Sequence, residues 1–326
     1  MAKSILLDRT VFEESFVPAK TVAREEQMNE LEKSLRPVRS GDYTVNVYVH
    51  GPSGTGKTLV CTTVLKKHFP KQFVYIDCFE DSTKHDIMEQ IMAQAGIFVH
   101  GRPSTRDMIK RFKKSSKKFL VCLDRCELIK DQEIIETLVV NGCGLILISN
   151  QPLSVSKLAL RGNSKLYLDE MEFKPYNRNE VFQILKDRIS YGLAGDSITD
   201  DLLSLAAGMC NGDARRGLQI VKLAARDAEI LNQERITVEN IESALRKTRS
   251  QIISNVVEKL SEKQKIIFDI LKDNKIMSSG ELFRIYKKIA GEDANDRSYR
   301  NQMISLKELG LVKETGVTKG KVYEIA

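Results

Sequence analysis

The spacing of apolar residues divides the chain into three stretches. From Glu13 to Ser40 they recur at helical spacing, with Met28, Leu31 and Leu35 on one face. A β-rich run, YTVNVYVH, then enters the glycine-rich stretch GPSGTGKT. Beyond it a helix is predicted over Leu59 to Phe69, then a strand in FVYID. Helices are predicted over about Lys84 to Ala95 and Ser104 to Lys113, followed by a strand in FLVCLD, a short helix near Gln132 to Val139 and a strand in GLILIS. Strands alternating with helices predict a parallel sheet covered by helices on both faces. After KPYN, Lys174 to Asn177, the strands stop. Helices over about Arg178–Tyr191, Asp200–Met209, Ala214–Leu231 and Val238–Lys247 predict an all-helical second domain. TRSQIISNVVEKLSEKQ carries the chain into a third unit. There helical patterns precede LGLVKETGVTKGKVYEI, two short strands around a Gly- and Lys-bearing turn, which is the order of a winged helix-turn-helix. The expected boundaries are 1–174, 175–250 and 255–326.

Composition narrows this picture only slightly. The 326 residues suffice for two or three cores, and 42% hydrophobic with 29% charged residues describes an ordinary soluble chain. A net charge of +7 tilts modestly toward a polyanionic partner. No apolar run approaches the roughly 20 residues of a membrane span, and the first residues lack a signal-peptide core, so a cytoplasmic protein with no membrane partner is expected. The six cysteines form no C-x-x-C pair and read as reduced core residues.

The candidate chemistry begins in GPSGTGKT, Gly51, Pro52, Ser53, Gly54, Thr55, Gly56, Lys57 and Thr58, a full G-x-x-x-x-G-K-[ST] match between a strand and a helix. Its glycines let backbone N–H groups turn toward phosphates. Lys57 reaches the β and γ oxygens, and the Thr58 hydroxyl can ligate Mg²⁺. Leu59 continues the stretch onto a helix whose positive end faces the anion. ATP or ADP with Mg²⁺ is the expected ligand pair. Asp124, ending its apolar strand, is the candidate metal acid, with a helix cap as the plainer reading. Asn150, at the tip of GLILISN, is placed to orient a water or touch the γ-phosphate; a turn asparagine is the alternative. In GDARRGLQIV, Arg215 or Arg216 can reach across the cleft, or else simply starts a solvated helix.

Arg125 follows Asp124 where such sites usually carry a second acid that orients the attacking water. A guanidinium has no acceptor. Slow or absent hydrolysis is therefore expected, with Arg125 beside the γ-phosphate and Arg125→Glu raising the rate. Were the strand to continue, Glu127 would sit on Asp124's face about 6–7 Å farther along; a turn after Asp124 would bring it back.

In the third unit, NDRSYRNQMISLKELGLV reads as a recognition helix. Met303, Ile304, Leu306 and Leu309 are its apolar contacts, and Arg297, Ser298, Tyr299, Arg300 and Gln302 form its exposed, groove-facing half. Thr318, Lys319 and Lys321 are candidate wing-tip contacts to phosphate. A winged helix used for protein contact is the alternative.

Taken in order, the P-loop, the LD and ISN strands and the GDAR turn resemble the AAA+ ATPases. With FVPAKTVAREEQMNELEKSLRPV, KPYN, GDARRGL and the C-terminal winged helix, nearly the whole chain resembles the archaeal replication initiators similar to origin recognition complex subunit one and cell division control protein six. The resemblance implies an α/β AAA+ P-loop NTPase core with a parallel sheet, an all-α lid and a winged helix. It implies an ATP-dependent initiator that binds double-stranded origin DNA, associated with the nucleoid, working with other initiator subunits and the replicative helicase. It places Tyr176 and Arg188 at the nucleotide, Arg24 to Gln27 near the adenine, and Arg215 as second sensor. It places Arg161 where an arginine reaches a neighbouring subunit's ATP, and Gly101 and Arg102 near the minor groove. Two departures stand out: Arg125 in place of the second acid, and only about twenty residues between Glu127 and Ile148. A clamp-loader-like machine fits less well, because the chain ends in a winged helix and lacks a Ser-Arg-Cys segment. A winged-helix transcription regulator stays open.

Overall fold

A computed structural model of the chain describes residues 4–98, 101, 103–115, 117–153, 168–258, 260–291, 295–309, 311–316 and 321–325. It divides into two compact units, Met1–Ala244 and Leu245–Ala326.

The first unit opens with α1 (Glu25–Ser34) and α2 (Arg36–Arg39), then β1 (Asn46–His50), α3 (Lys57–His68), β2 (Phe73–Asp77), α4 (Lys84–Gln94), α5 (Thr105–Lys114), β3 (Leu120–Asp124), α6 (Glu133–Val140) and β4 (Gly144–Ser149). β5 (Asp169–Glu172) closes the sheet, and α7 (Arg178–Gly192), α8 (Asp200–Gly208) and α9 (Ala214–Ile230) form the lid with the start of α10 (Val238–Glu258). The sheet is parallel, in the order β2-β3-β4-β1-β5.

The three central strands are buried along their whole length. Strands covered on both faces read as continuous apolar runs, which is why the sequence shows them plainly. Alternate residues serve opposite layers. Val47, Val49, Leu120, Cys122, Ile146 and Ile148 pack on the α1 and α3 side, and Tyr48, Val121, Leu123, Leu145 and Leu147 pack against α4, α5 and α6. Each fully buried aliphatic side chain contributes about 1.5–3 kcal/mol by transfer from water. All six cysteines are buried and free.

β5 is a strand before KPYN that the sequence pattern did not single out. Its sequence, DEME, buries only Met171 and pairs with β1 alone. An edge strand needs a single inward residue, so neither apolar alternation nor β-propensity marks it.

In the second unit α11 (Glu262–Asn274), β6 (Ile276–Ser278), α12 (Ser279–Ala290), α13 (Asp296–Glu308), β7 (Val312–Thr315) and β8 (Val322–Ile325) follow the winged-helix order, with an antiparallel sheet β6-β8-β7. Ile267, Leu271, Leu282, Tyr286, Met303, Leu306 and Tyr323 contribute to its core. The helix expected to end near Lys247 runs on through TRSQIISNVVE, as α10, to Glu258.

Tyr299 is a correction. It is 4% exposed, with its ring 4.9 Å from Phe283 and 5.5 Å from Tyr286. Positions 299, 303 and 306 share one helical stripe, so Tyr299 belongs with Met303 and Leu306 in the core. Ile304 and Leu309, expected inside, are exposed because they lie off that stripe.

Candidate functional site

The loop from β1 to α3 curls around Lys57. Gly56 is the N-cap of α3 in the left-handed region, at φ +86°, and a Cβ there would lie 2.5 Å from the Tyr176 hydroxyl. At Gly54, φ +75°, a Cβ would collide with the Asp213 carboxylate. Both glycines are thus required by backbone conformation and by the approach of the lid. Asp213 caps α9, and the Ala214 N–H donates to the Gly54 carbonyl at 3.2 Å.

Lys57 donates from Nζ to the carbonyls of Gly51 (2.7 Å) and Pro52 (2.8 Å) and to Asn150 Oδ1 (3.1 Å). All three ammonium donors are therefore engaged. Burial pushes its pKa down to about 8, opposed chiefly by the nearby Asp124 carboxylate. Asp124 is also buried. It accepts from Thr58 Oγ1 (2.6 Å), the Tyr75 hydroxyl (2.9 Å) and the Arg125 backbone N–H (2.8 Å). Burial, then the Asp124 charge, raises the Tyr75 phenol.

Arg215 donates to Ser53 Oγ at 2.7 Å and pairs with Glu14 at 3.1 Å. Arg188 is buried, donates to the Val11 carbonyl at 2.9 Å and stacks over Phe16, and burial lowers its pKa. Ser53, Gly54, Thr55, Gly56, Lys57, Thr58, Leu59, Asp124, Asn150, Tyr176, Arg188 and Arg215 all line one cavity of about 780 Å³, within the size range of small-molecule sites. Gly51 and Pro52 contribute carbonyls beneath it.

Arg125 lines the same cavity, but it is not aimed at the phosphate end as expected. Its backbone is left-handed, φ 56°, and its guanidinium forms a two-point ion pair with Asp77, with Nε–Oδ1 at 2.9 Å, while stacking on Phe79. The strand ends at Asp124, and the 3₁₀ turn Cys126–Leu128 folds Glu127 back. Glu127 Oε1 accepts from Asn150 Nδ2 at 3.0 Å and from its backbone N–H at 3.3 Å. The extended-strand placement of Glu127 does not hold.

In the second unit, Arg297, Ser298, Arg300 and Gln302 lie on α13, whose N-cap Asn295 accepts from the Ser298 N–H. Arg300 is exposed and pairs with Asp296 at 2.7 Å. Lys321 pairs with Glu314, which Lys307 also engages. Gly101 is exposed, with φ +76°. Arg102, Arg161, Thr318 and Lys319 lie outside the described residues.

Residues 20–141 match the model of the AAA ATPase domain, and residues 182–246 match that of the Cdc6 AAA+ ATPase-type lid domain. The ORC1-type DNA replication protein 1 of Halobacterium salinarum is 26% identical over 308 residues, covering 91% of this chain and 100% of that protein. Among solved structures, the Aeropyrum pernix ORC1 protein in complex with DNA superposes with a TM-score of 0.79 at 23% identity, over 100% of this chain and 94% of that one. The Aeropyrum pernix ORC2 protein, solved as ADPNP–ADP complexes, gives 0.71 at 20% identity over 99% and 94%. The chain thus carries an AAA ATPase domain and a Cdc6-type lid, and over most of its length it is similar to ORC1-type DNA replication proteins.

The site also contains residues that the sequence alone did not assign. Tyr75, Asp77 and Glu14 hold Asp124, Arg125 and Arg215. Arg24, expected near the adenine, is buried and braces the loop: it donates to the carbonyls of Thr55 (3.0 Å) and Lys174 (2.6 Å) and lies over the Tyr176 ring. No local motif announces these pairings, because each partner is distant in sequence. Tyr75 and Asp77 do carry a signal, since the two-residue period of β2 puts them on one face beside the end of β3.

Proposed function

We propose that this chain is an ATP-switched replication initiator that recognises double-stranded origin DNA and acts with other initiator subunits to bring in the replicative helicase. The observation that carries the reading is the convergence of Lys57, Thr58, Asp124, Asn150 and Arg215 on one cavity in a chain that also carries a winged helix. The segments 1–174, 175–250 and 255–326 are assigned as nucleotide-binding core, lid and DNA-binding domain.

The residues suit ATP and Mg²⁺. Side chains at Gly54 and Gly56 would meet Asp213 and Tyr176, so the loop's shape depends on bare backbone. Among the described residues no three His, Cys, Asp or Glu side chains cluster as a protein-only metal cage. Thr58 and Asp124 instead offer one hydroxyl and one carboxylate, the sparse hard-oxygen set that Mg²⁺ takes alongside phosphates. Mg²⁺ held there neutralises phosphate charge. Lys57 and the loop amides bind the β and γ phosphates, Arg215 approaches from the lid, and Tyr176 and Arg188 line the nucleotide. Arg125 is held by Asp77 and offers no acceptor, so position 125 does not activate the attacking water, and ATP is held and turned over slowly.

For DNA, α13 presents Arg297, Ser298, Arg300 and Gln302 for groove contact, with Lys321, Lys319 and Thr318 at the wing and Gly101 and Arg102 as additional contacts. Arg161 is assigned to a neighbouring subunit's ATP. Among the described residues no helix is long and apolar enough to cross a membrane, in keeping with a cytoplasmic, nucleoid-associated protein. The test is selection of bound genomic fragments with and without ATP, followed by footprinting. Recovery of a replication origin supports the reading. Recovery of promoters indicates a transcription regulator, and no duplex preference indicates a clamp-loader-like machine.

A further inference from the structure

The two sides of α13 carry different chemistry. Tyr299, Met303 and Leu306 are buried in the core of the second unit. Arg297, Arg300, Asn301 and Ile304 are exposed. At 3.6 residues per turn these four span about 100° of arc, on the side away from the core stripe. Ile304 is 50% exposed, and Asn301 lies one turn before it on the same face. Sequence reasoning left Asn301 unassigned and expected Ile304 inside.

Charge says what covers this face. Leu245–Ala326 holds 17 Lys and Arg against 11 Asp and Glu, so most of the chain's net charge of +7 resides in this unit. A polyanion is the partner that such a balance favours. A single exposed isoleucine is ordinary on a surface, but Ile304 shares its stripe with two guanidiniums and an amide. Duplex DNA matches that mixture. Its phosphates take arginines, and its major groove sets base edges beside an apolar group, the thymine C5-methyl.

We propose that Asn301 and Ile304 set sequence specificity by reading an A·T step in the major groove: the Asn301 amide pairs with adenine N6 and N7, and the Ile304 side chain packs on a thymine methyl. This rests on the DNA-binding reading above.

Each side chain limits what it can read. The Asn301 amide carries a donor and an acceptor side by side. Adenine presents the complement, the N7 acceptor beside the N6 amino donor, whereas guanine presents two acceptors, N7 and O6. Guanine would leave the Asn301 carbonyl without a donor in a desolvated groove, which costs free energy. Ile304 offers only hydrocarbon. Against guanine O6 or the cytosine amino group it would cover a polar atom; against the thymine methyl it buries apolar surface on both partners. Residues three apart on a helix are about 4.5 Å apart along its axis, and successive base pairs about 3.4 Å apart, so the two side chains reach one pair or adjoining pairs. Arg300 is held to Asp296 by an exposed ion pair, which yields to phosphate at little cost.

The test uses the full chain with ATP and Mg²⁺ on a duplex recovered by the genomic selection, altered one base at a time. Deoxyuridine in place of thymine removes only the methyl, and 7-deazaadenine in place of adenine removes only the N7 acceptor. In native protein, deoxyuridine at a thymine of the protected site is expected to weaken binding about fourfold, the scale of one buried methyl group. 7-Deazaadenine at the same or an adjoining pair weakens it about 5–10-fold, the scale of one neutral hydrogen bond. Ile304→Ala binds the thymine and deoxyuridine duplexes equally, and Asn301→Ala binds the adenine and 7-deazaadenine duplexes equally. Ile304→Val keeps methyl groups at the contact and still prefers thymine. Both sites are exposed, so the alanine variants keep the native urea midpoint. Native protein that binds the duplex but is indifferent to either base substitution at every position overturns the proposal. So does a thymine preference that survives Ile304→Ala, or an N7 preference that survives Asn301→Ala. In each of these cases DNA binding itself stands. A full chain that binds no duplex removes the underlying reading as well.

Discussion

The phosphate cradle and the outer face of α13 are both polar, in opposite ways. In the cradle every key charge already has protein partners: three acceptors surround Lys57 Nζ, three donors surround the Asp124 carboxylate, and Arg215 is held by Ser53 and Glu14. On α13, Arg300 is 73% exposed and its partner, Asp296, sits one turn away on the same helix. A buried network is organised before its ligand arrives, so geometry speaks to chemistry. A solvated helix face is organised by its partner, so geometry there speaks to which side chains are presented and to their reach.

The sharpest way to break the contrast is to exchange its terms within α13. Tyr299→Ala is expected to destabilise the C-terminal unit by about 3–5 kcal/mol, as for other large aromatic truncations. Urea unfolding of the full chain checks this, and unchanged stability would return Tyr299 to the DNA-facing set. Lys57→Ala removes a charged donor from the cradle. ATP and ADP affinity should fall about 10–100-fold, corresponding to about 1.5–3 kcal/mol for hydrogen bonds to charged groups, as calorimetry would show. Arg300→Ala should leave stability alone and weaken duplex binding by about 1 kcal/mol, with the salt slope reduced by about one unit if the contact is to phosphate. An unchanged affinity and slope would make α13 a protein-contact helix. The smallest effect belongs to Arg125. Its ion pair with Asp77 is partly exposed, with side chains 40% and 24% accessible, and is expected to contribute less than about 1 kcal/mol on thermal unfolding of Arg125→Ala. Arg125→Glu should leave single-turnover hydrolysis within about threefold, since that position faces Asp77. A tenfold rise would restore the view that residue 125 looks at the water.

The same contrast explains what was legible in the chain. Buried strands, helix caps and the G-x-x-x-x-G-K-[ST] loop are local in sequence, and each appears where its pattern lies. The capping boxes at Thr83–Asp86, Asn177–Glu180 and Ser261–Gln264 mark helix starts for the same reason. β5 was illegible because one inward Met171 among charged neighbours carries no period. Tyr299 was misplaced because it was grouped with the polar N-terminal half of its helix, although its i, i+4, i+7 spacing with Met303 and Leu306 marks the core stripe. The turn at Arg125 stood only as the alternative to a continued strand, because a non-glycine residue at φ 56° is uncommon. That single dihedral sends Arg125 to Asp77 and Glu127 to Asn150, and no spacing rule in FLVCLDRCELI discloses it.

ATP dependence of DNA protection tests the initiator reading most directly. Native protein is titrated onto origin-bearing genomic fragments with and without ATP and Mg²⁺, with Lys57→Ala alongside. Origin protection should strengthen with ATP in the native protein and show no ATP response in Lys57→Ala, whose α13 and wing are intact. Protection that is identical with and without ATP in the native protein, or an ATP response that survives in Lys57→Ala, would contradict a nucleotide switch built on the cradle.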